Sequence, residues 1–542
     1  MGSNSNTIYD IIILGAGVSG IGMAHSLLRE KDQTFLILEK NDGVGGTWRN
    51  NTYPGLCCDV PSHFYSYSFS MNPNWSKTFP EQYEILEYLE NVTDKFKIRP
   101  HIKFNSEVKK SKYNQKDKYW ETFLSDGEVF RSRSLVSGLG QLNKPKYPEI
   151  NGLKDFNGHN FHSAQWDHNY NLEGKKVAVI GNGPSAIGFI PIIAGKVEQL
   201  TIFQRSNNWI VPKPDRPYGS FEKFCLRNIP LLARMYRFYF YLTQERNYLA
   251  FYYKHSKAVK ILEKVVSAIL TKFKLFRFED VYKAGALMLI DEQISDEKLK
   301  KKLIPDYPIG CKRIIPTNDY YPAICRDNVY LETSLIDKIE GNQIITRDGN
   351  HHEVDAIIFG TGFEANIFIS PVKIIGLNEI KLDDVWSNGA EAYRGVMVPN
   401  FPNFYICYGP NTNTGHVSII YMIESQIMFI MKCLRYLKNN KLNYLDVKNT
   451  AMESYNNKLQ KTFPEFFDGD PNTCAGADFP EVVFMKKSDE EQDDMALERH
   501  KAMLAEGALS DADLDADIKE LQKGDKKIGD GPSHLEGQRT WV

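Results

Sequence analysis

The chain lacks a Cys-x-x-Cys pair among its eight cysteines, so neither a thioredoxin-like dithiol nor a zinc knuckle is expected. Cys57 and Cys58 are adjacent, which does not suit an ordinary structural disulfide, and a reducing, cytoplasmic compartment follows. No run of 18 apolar residues occurs, which argues against a transmembrane anchor. An excess of one charge is missing too. The 66 Lys and Arg nearly balance 68 Asp and Glu, leaving no electrostatic case for nucleic acid as a partner. Asn6 stands where a myristoylation signal needs Ser or Thr. The apolar run from Ile8 is interrupted by Asp10 and ends in glycine, so it reads as a strand and not a signal peptide. Asp511-x-Asp513-x-Asp515 opens like a calcium loop, but Ala516 replaces the required glycine and Gln522 the required glutamate. No metal site is expected.

What is present is length and a repeated pattern. At 542 residues the chain exceeds one ordinary core, and two or three domains are expected. The fold class is α/β. Ile8 to Leu14 is a short apolar run, the shape of a buried parallel strand. Gly15, Gly17 and Gly20 then open a helix through Leu28, permitting a tight turn, close approach to a pyrophosphate and close packing of helix on sheet. The helix start offers free N–H groups to phosphate. Phe35 to Leu38 ends in Glu39, whose carboxylate suits ribose hydroxyls. The unit returns at Lys176 to Ile180, followed by Gly181, Gly183, Ser185 and Ala186, with alanine in place of the third glycine. Its second strand, Leu200 to Phe203, leads to Arg205 and Ser206 and carries no acid there. Glu39 lies 24 residues beyond Gly15, and Arg205 lies 24 beyond Gly181. An acid suits a free 2′-hydroxyl and an arginine a 2′-phosphate, so the second site reads as one for NADPH.

Just upstream of the second loop, Phe156 to Asp167 contains Phe156, Gly158, His162, Trp166 and Asp167 in the frame Phe-x-Gly-x-x-x-His-x-x-x-Trp-Asp. The frame resembles the signature of Baeyer–Villiger monooxygenases, and the segment reads as the hinge of the chain. In heteroatom-oxidising flavin monooxygenases the frame usually ends in Tyr or Phe. Gly45-Gly46-Thr47-Trp48, with Tyr53-Pro54-Gly55 and Asp59 behind it, is similar to the family's stretch along the flavin. The resemblance implies FAD in the first site, with Gly46, Thr47 and Trp48 at the cofactor. It also implies that Asp59 stands near the isoalloxazine and orients an arginine, and that Tyr65 is an aromatic near the flavin. Tyr307-Pro-Ile-Gly310-Cys-Lys312-Arg313 resembles the family's active-site segment. Arg313 is thereby implied beside the flavin, holding a negatively charged peroxide, and Lys312 beside the 2′-phosphate. Asp355 to Phe363 resembles the turn that returns to the FAD domain, with Thr361 and Gly362 at the cofactor and Gly360 replacing the usual alanine.

The expected architecture is two Rossmann-like dinucleotide-binding domains, for FAD and NADPH, with a helical insertion in the second. The FAD domain takes residues 1–150 and 356–485, and the NADPH domain takes 151–355 with its insertion at about 213–303. An acidic, helical tail over 486–542 is either solvated or binds a partner. Tyr119 to Leu124 and Val129 to Val136 read as strands of a small antiparallel layer. In the insertion, the aromatics from Arg234 to Leu242 and from Tyr248 to Tyr253 read as core or as a surface docked on the other domain. Helical spacing continues from Val259 to Phe276, and a peripheral membrane contact is a further reading. Loops around Asn411 to Val417 are expected to bear on substrate selectivity.

The resemblance implies an enzyme that uses NADPH and O2 to insert one oxygen beside a ketone carbonyl, through a flavin C4a-peroxide, giving an ester or lactone. An N- or S-oxygenating flavin monooxygenase is the alternative, and a non-catalytic NADPH-binding flavoprotein a more distant one. The purified protein is expected to be yellow with bound FAD, and Gly15 or Gly17 changed to a bulky residue should release it. Visible absorption after desalting checks this, and a colourless, folded protein that takes up no added FAD would refute it.

Overall fold

The computed structural model describes residues 7–252, 278–310, 312–364, 368–369, 371–413, 417–466 and 540–541. The helix-like stretches expected at 259–276, 489–505 and 511–523 lie outside the described residues. The chain builds two parallel-type sheets, each with a glycine turn at the carboxyl end of a central strand. In the first, β1 (Ile8–Leu14) runs into α1 (Val18–Glu30) and β2 (Phe35–Leu38). The short α2 (Thr47–Asn50) and the longer α3 (Gln82–Lys95) precede β3 (Ile102–Lys103), β4 (Val108–Asn114), β5 (Tyr119–Leu124) and β6 (Val129–Ser137). Pairing is parallel between β1 and β2 and between β1 and β6, so the strand order reverses at β1. A crevice opens at such a switch point.

The strands β4, β5 and β6 pair antiparallel as expected, but they form no separate layer. β6 is long enough for its end to pair with β1 as well, which fuses the meander into one eight-stranded sheet.

The second sheet contains β7 (His159–His162), β8 (Lys176–Ile180) and, after α4 (Pro184–Ala194), β9 (Gln199–Phe203). Next in the chain, β10 (Ile210–Val211) pairs with β11 (Ile315–Pro316) as a separate two-stranded ribbon. Beyond β12 (Val329–Glu332) comes a three-stranded antiparallel flap, β13 (Ile336–Glu340), β14 (Gln343–Thr346) and β15 (His351–Glu353), and then β16 (Ala356–Phe359). The sheet order is β12-β9-β8-β16-β7, parallel throughout. β16 is buried along its whole length and pairs with both β7 and β8. The boundary expected at residue 355 is therefore displaced: Ala-Ile-Ile-Phe has no polar face and needs both faces covered, which a central place in the second sheet supplies. The chain rejoins the first sheet at β17 (Lys373–Ile375), beside β4, and β18 (Phe404–Ile406), beside β6.

The chain crosses between the sheets twice, and the crossings lie side by side. Pro145 bridges Phe363, the Lys146 N–H donates to the Gly362 carbonyl at 2.9 Å, and Glu364 N–H donates to Lys144 at 2.9 Å. This two-stranded ribbon joins the two sheets. The segment Phe156 to Asp167, expected as the hinge, instead forms the edge strand β7 and the turn behind it.

The insertion begins with α5 (Ser220–Asn228) and α6 (Pro230–Tyr252) and continues with helices Phe278–Gln293 and Glu297–Leu303. One face of α6 docks on the first domain. The Arg237 guanidinium donates to the Ser66 carbonyl at 2.5 Å and pairs with Glu424 at 3.4 Å. Glu424 also accepts from the Ser68 backbone N–H and hydroxyl, each at 2.8 Å. Tyr241 packs against Phe64 and Tyr421. The aromatic run from Arg234 to Leu242 is thus docked along one face, while Phe238, Tyr239 and Leu242 remain exposed, so it is not a core; the side chains from Tyr248 to Tyr253 lie outside the described residues.

Gly20 is where the first glycine turn is tightest. A methyl group there would stand 2.0 Å from the Gly15 carbonyl oxygen, a backbone atom that cannot move aside. Gly20→Ala is expected to destabilise the chain by roughly 1–3 kcal/mol, in the range of overpacking substitutions. Gly195→Ala, where nothing lies within 4 Å, should leave thermal unfolding almost unchanged. Equal melting temperatures for the two variants would contradict this account.

Candidate active site

The first glycine turn and the segment from Gly45 meet backbone to backbone. A Cβ on Gly46 would lie 3.0 Å from the Gly17 Cα, and one on Gly17 would lie 3.5 Å from the Gly46 Cα. Side chains would fill this cradle, so the glycines keep it open. No side chain caps α1 at Gly17, which leaves its first N–H groups for an anion. Glu39 is buried at the end of β2. Its Oε2 accepts from the Ala16 N–H at 2.7 Å, and its Oε1 accepts from the Asn41 N–H at 2.9 Å and side-chain amide at 2.8 Å. Lone-pair capacity remains on Oε2 for a ribose hydroxyl. Thr47 and Trp48 begin α2. The Trp48 indole N–H donates to the Tyr65 hydroxyl at 2.9 Å, with the rings edge to face. These residues fit a dinucleotide with a flat ring system.

The second turn repeats the design with one exchange. α4 starts behind Gly183, again without a side-chain cap. Ala186 brings a methyl group where the first unit has Gly20, and a Cβ on Gly360 would stand 2.8 Å from it. The two departures from the family's pattern compensate each other. Ser185 is hydrogen-bonded to Tyr53, whose hydroxyl is pushed up to about 12 by burial, so the first domain's Tyr-Pro-Gly turn touches the start of α4. Arg205 is exposed beyond β9. The Lys312 ammonium donates to the Ser206 hydroxyl at 2.8 Å and lies 4.8 Å from the Tyr307 ring centre. Two cations and a hydroxyl therefore gather at the end of β9, a suitable set for a phosphate dianion.

Between the two turns, Arg313 forms an ion pair with Asp59 across 254 residues of chain. The Asp59 carboxylate beside it raises the Arg313 guanidinium above its already high range. Half of the Arg313 side-chain surface, 51%, nevertheless remains accessible. Tyr408, after β18, lies close enough to interact with it and accepts from the Gln141 amide at 3.3 Å. The Lys213 ammonium sits 3.0 Å from the Cys57 sulfur. Lys213 carried no local pattern that named it.

The remaining expected residues do other things. Phe156 is core, and a Cβ on Gly158 would lie 2.4 Å from the Asp355 carbonyl oxygen. His162 is fully buried, its Nδ1 accepts from the Ala164 N–H at 3.0 Å, and burial lowers it to about 4. Its Nε2 faces the Gly362 backbone without a hydrogen bond of good geometry. Trp166 packs between Phe161 and Phe189, and Asp167 meets His159 at 3.0 Å. None of the five is hydrogen-bonded or ion-paired with Arg313 or Asp59. Thr361 donates to the Lys146 carbonyl, which places it and Gly362 on the connecting ribbon.

Residues 12–219 match the family model described as pyridine nucleotide-disulphide oxidoreductase, although Cys57 and Cys58 are free. A Baeyer-Villiger monooxygenase of Pseudomonas aeruginosa is 41% identical over 451 residues, 83% of this chain and 82% of that one. A crystal structure of cyclohexanone monooxygenase from Rhodococcus sp. Phi1 bound to NADP+ superposes with a TM-score of 0.71 at 29% identity, covering 86% of this chain and 91% of that one. The crystal structure of an OTEMO complex with FAD and NADP gives a TM-score of 0.72 at 27% identity over 84% and 91%. The heteroatom-oxidising alternative is not favoured by these relatives. With two glycine cradles, an arginine held by Asp59 and relatives of this kind, the chain belongs to the Baeyer–Villiger monooxygenase family.

Proposed function

We propose that Arg313, held by Asp59, is the charge-stabilising group for oxygen insertion next to a ketone carbonyl. The overall conversion takes ketone, O2, NADPH and a proton to ester or lactone, NADP+ and water. FAD, when bound, accepts hydride from NADPH and activates the oxygen. The observation that carries the reading is Arg313 itself, paired on one side and open on the other. A guanidinium stays protonated beside developing negative charge and gives up no proton to it. Fixed by Asp59, it needs no reorganisation when that charge appears. Asp59 holds the fork in place and balances its charge until then. Glu39 binds the FAD ribose, and Gly15, Gly17, Gly20 and Gly46 let the phosphates approach. Trp48 and Tyr65 wall the flavin side from water. Arg205, Ser206 and Lys312 bind the 2′-phosphate of NADPH. The FAD domain is taken as residues 1–150 and the chain beyond the ribbon at 360–364, around an NADPH domain that carries the insertion.

The charge set at the end of β9 predicts cofactor choice. Each charge-assisted contact contributes about 1.5–3 kcal/mol, so Arg205→Ala or Lys312→Ala should weaken NADPH binding by about 10- to 150-fold. NADH use should change little. Cofactor titrations of both variants check this, and equal use of NADH and NADPH by the unmodified enzyme would remove the argument.

Arg313→Ala should retain FAD, NADPH binding and NADPH-dependent flavin bleaching, yet lose ester formation by about 10²- to 10³-fold, the cost of removing one fixed charge-stabilising donor. Arg313→Lys should recover little, since an ammonium lacks the planar fork. Asp59→Ala should be milder, because it loosens the arginine without removing it. Stopped-flow reduction with product analysis over a ketone panel decides the matter. Ester at the parent rate from Arg313→Ala would disprove the assignment.

A further inference from the structure

The outer face of the insertion helices has no part in the chemistry above. Along α6, Leu231, Met235, Phe238 and Leu242 recur at helical spacing and are all exposed, Leu231 by 67% and Met235 by 59%. The adjoining α5 adds Phe221 and Phe224, exposed by 79% and 61%. On α6 these exposed apolar side chains lie on a different face from Arg237 and Tyr241, which dock on the body. A monomer seldom leaves so continuous an apolar strip in water without a use for it.

Charge on the same helices indicates what covers the strip. Arg227 and Arg234 are exposed beside it, and Arg227 reaches the Asn74 side chain with one guanidinium nitrogen. From Ser220 to Leu242 the single acid is Glu222, and Arg216 holds its carboxylate at 2.7 and 2.9 Å. The strip therefore presents apolar and cationic groups with no free acid. A second copy on this face would set arginines against their own counterparts in an isologous contact, with no carboxylate to pair them. An anionic lipid surface meets both needs, taking Leu, Met and Phe into the acyl boundary and the arginines at the headgroups. Among the described residues no helix is long and apolar enough to cross a membrane, so the helices would lie in its interface plane.

We propose that the α5–α6 face is a docking surface for anionic phospholipid membranes.

The test is co-sedimentation of the full flavin-loaded chain with vesicles of phosphatidylcholine alone or phosphatidylcholine containing phosphatidylglycerol. The chain should bind the phosphatidylglycerol vesicles more tightly, and added salt should weaken that binding. Met235→Asp with Phe238→Asp should lower the partition at least tenfold. Arg227→Ser and Arg234→Ser should each lower it about fivefold on the anionic vesicles, equivalent to ~1 kcal/mol per basic residue near such a surface. Retained flavin absorbance and unchanged activity without vesicles show that each variant is folded. Absence of binding, binding indifferent to lipid charge, or binding that survives the aspartate pair overturns the proposal. So does a dimer, seen by light scattering, that the aspartate pair dissociates while vesicles bind nothing.

Discussion

A guanidinium that is to be both anchored and reachable must be gripped on one side only, and in this chain that constraint falls on Arg313. Paired on all sides, it would be neutralised; unpaired in the interior, it would bear the full desolvation cost of a buried charge. Asp59 resolves this by gripping one side of the guanidinium while the other remains accessible. The rest of the architecture has to bring these two residues together. Asp59 follows the first glycine turn, and Arg313 closes the segment that also carries Lys312. One short stretch of chain thus faces two ways, with Lys312 turned to Ser206 and its neighbour turned to Asp59.

Such placement requires two domains that meet at a constant separation. The paired crossings at 144–146 and 362–364 supply two backbone connections instead of one. The contact of Tyr53 with Ser185 adds a side-chain link close to both cradles, and the turn behind it lies so near α4 that a Cβ on Gly55 would stand 2.3 Å from the Gly188 carbonyl oxygen. His162, neutral and enclosed between Tyr147 and Phe363, packs against this ribbon.

The insertion is fastened by a different device. Arg237 and Glu424 are both largely withdrawn from water. Burial pulls the arginine down and pushes the carboxyl up, each against the attraction of its partner. Their cost is offset by the carbonyl of Ser66 on one side and the two donors of Ser68 on the other. A buried pair satisfied in this way specifies where a helix sits more than it adds stability.

Much of this was legible in the sequence. Strand, glycine turn and helix succeed one another within thirty residues, so periodicity and turn chemistry located both glycine turns. Resemblance, and not pattern, named Asp59, Lys312 and Arg313. Three other matters were decided only in three dimensions. β16 joined the second sheet because an all-apolar strand needs cover on both its faces, which a central place in that sheet gives. The aromatic run of α6 divided into a docked face and an exposed one, which spacing alone does not orient. Ala186 and Gly360 proved to be one packing decision, made across a contact of 2.8 Å between residues 174 positions apart. Local sequence dictates backbone shape, since its interactions lie within a few residues. Which side chains then meet depends on where the folded elements are brought together, and that is set by the whole sheet and its crossings.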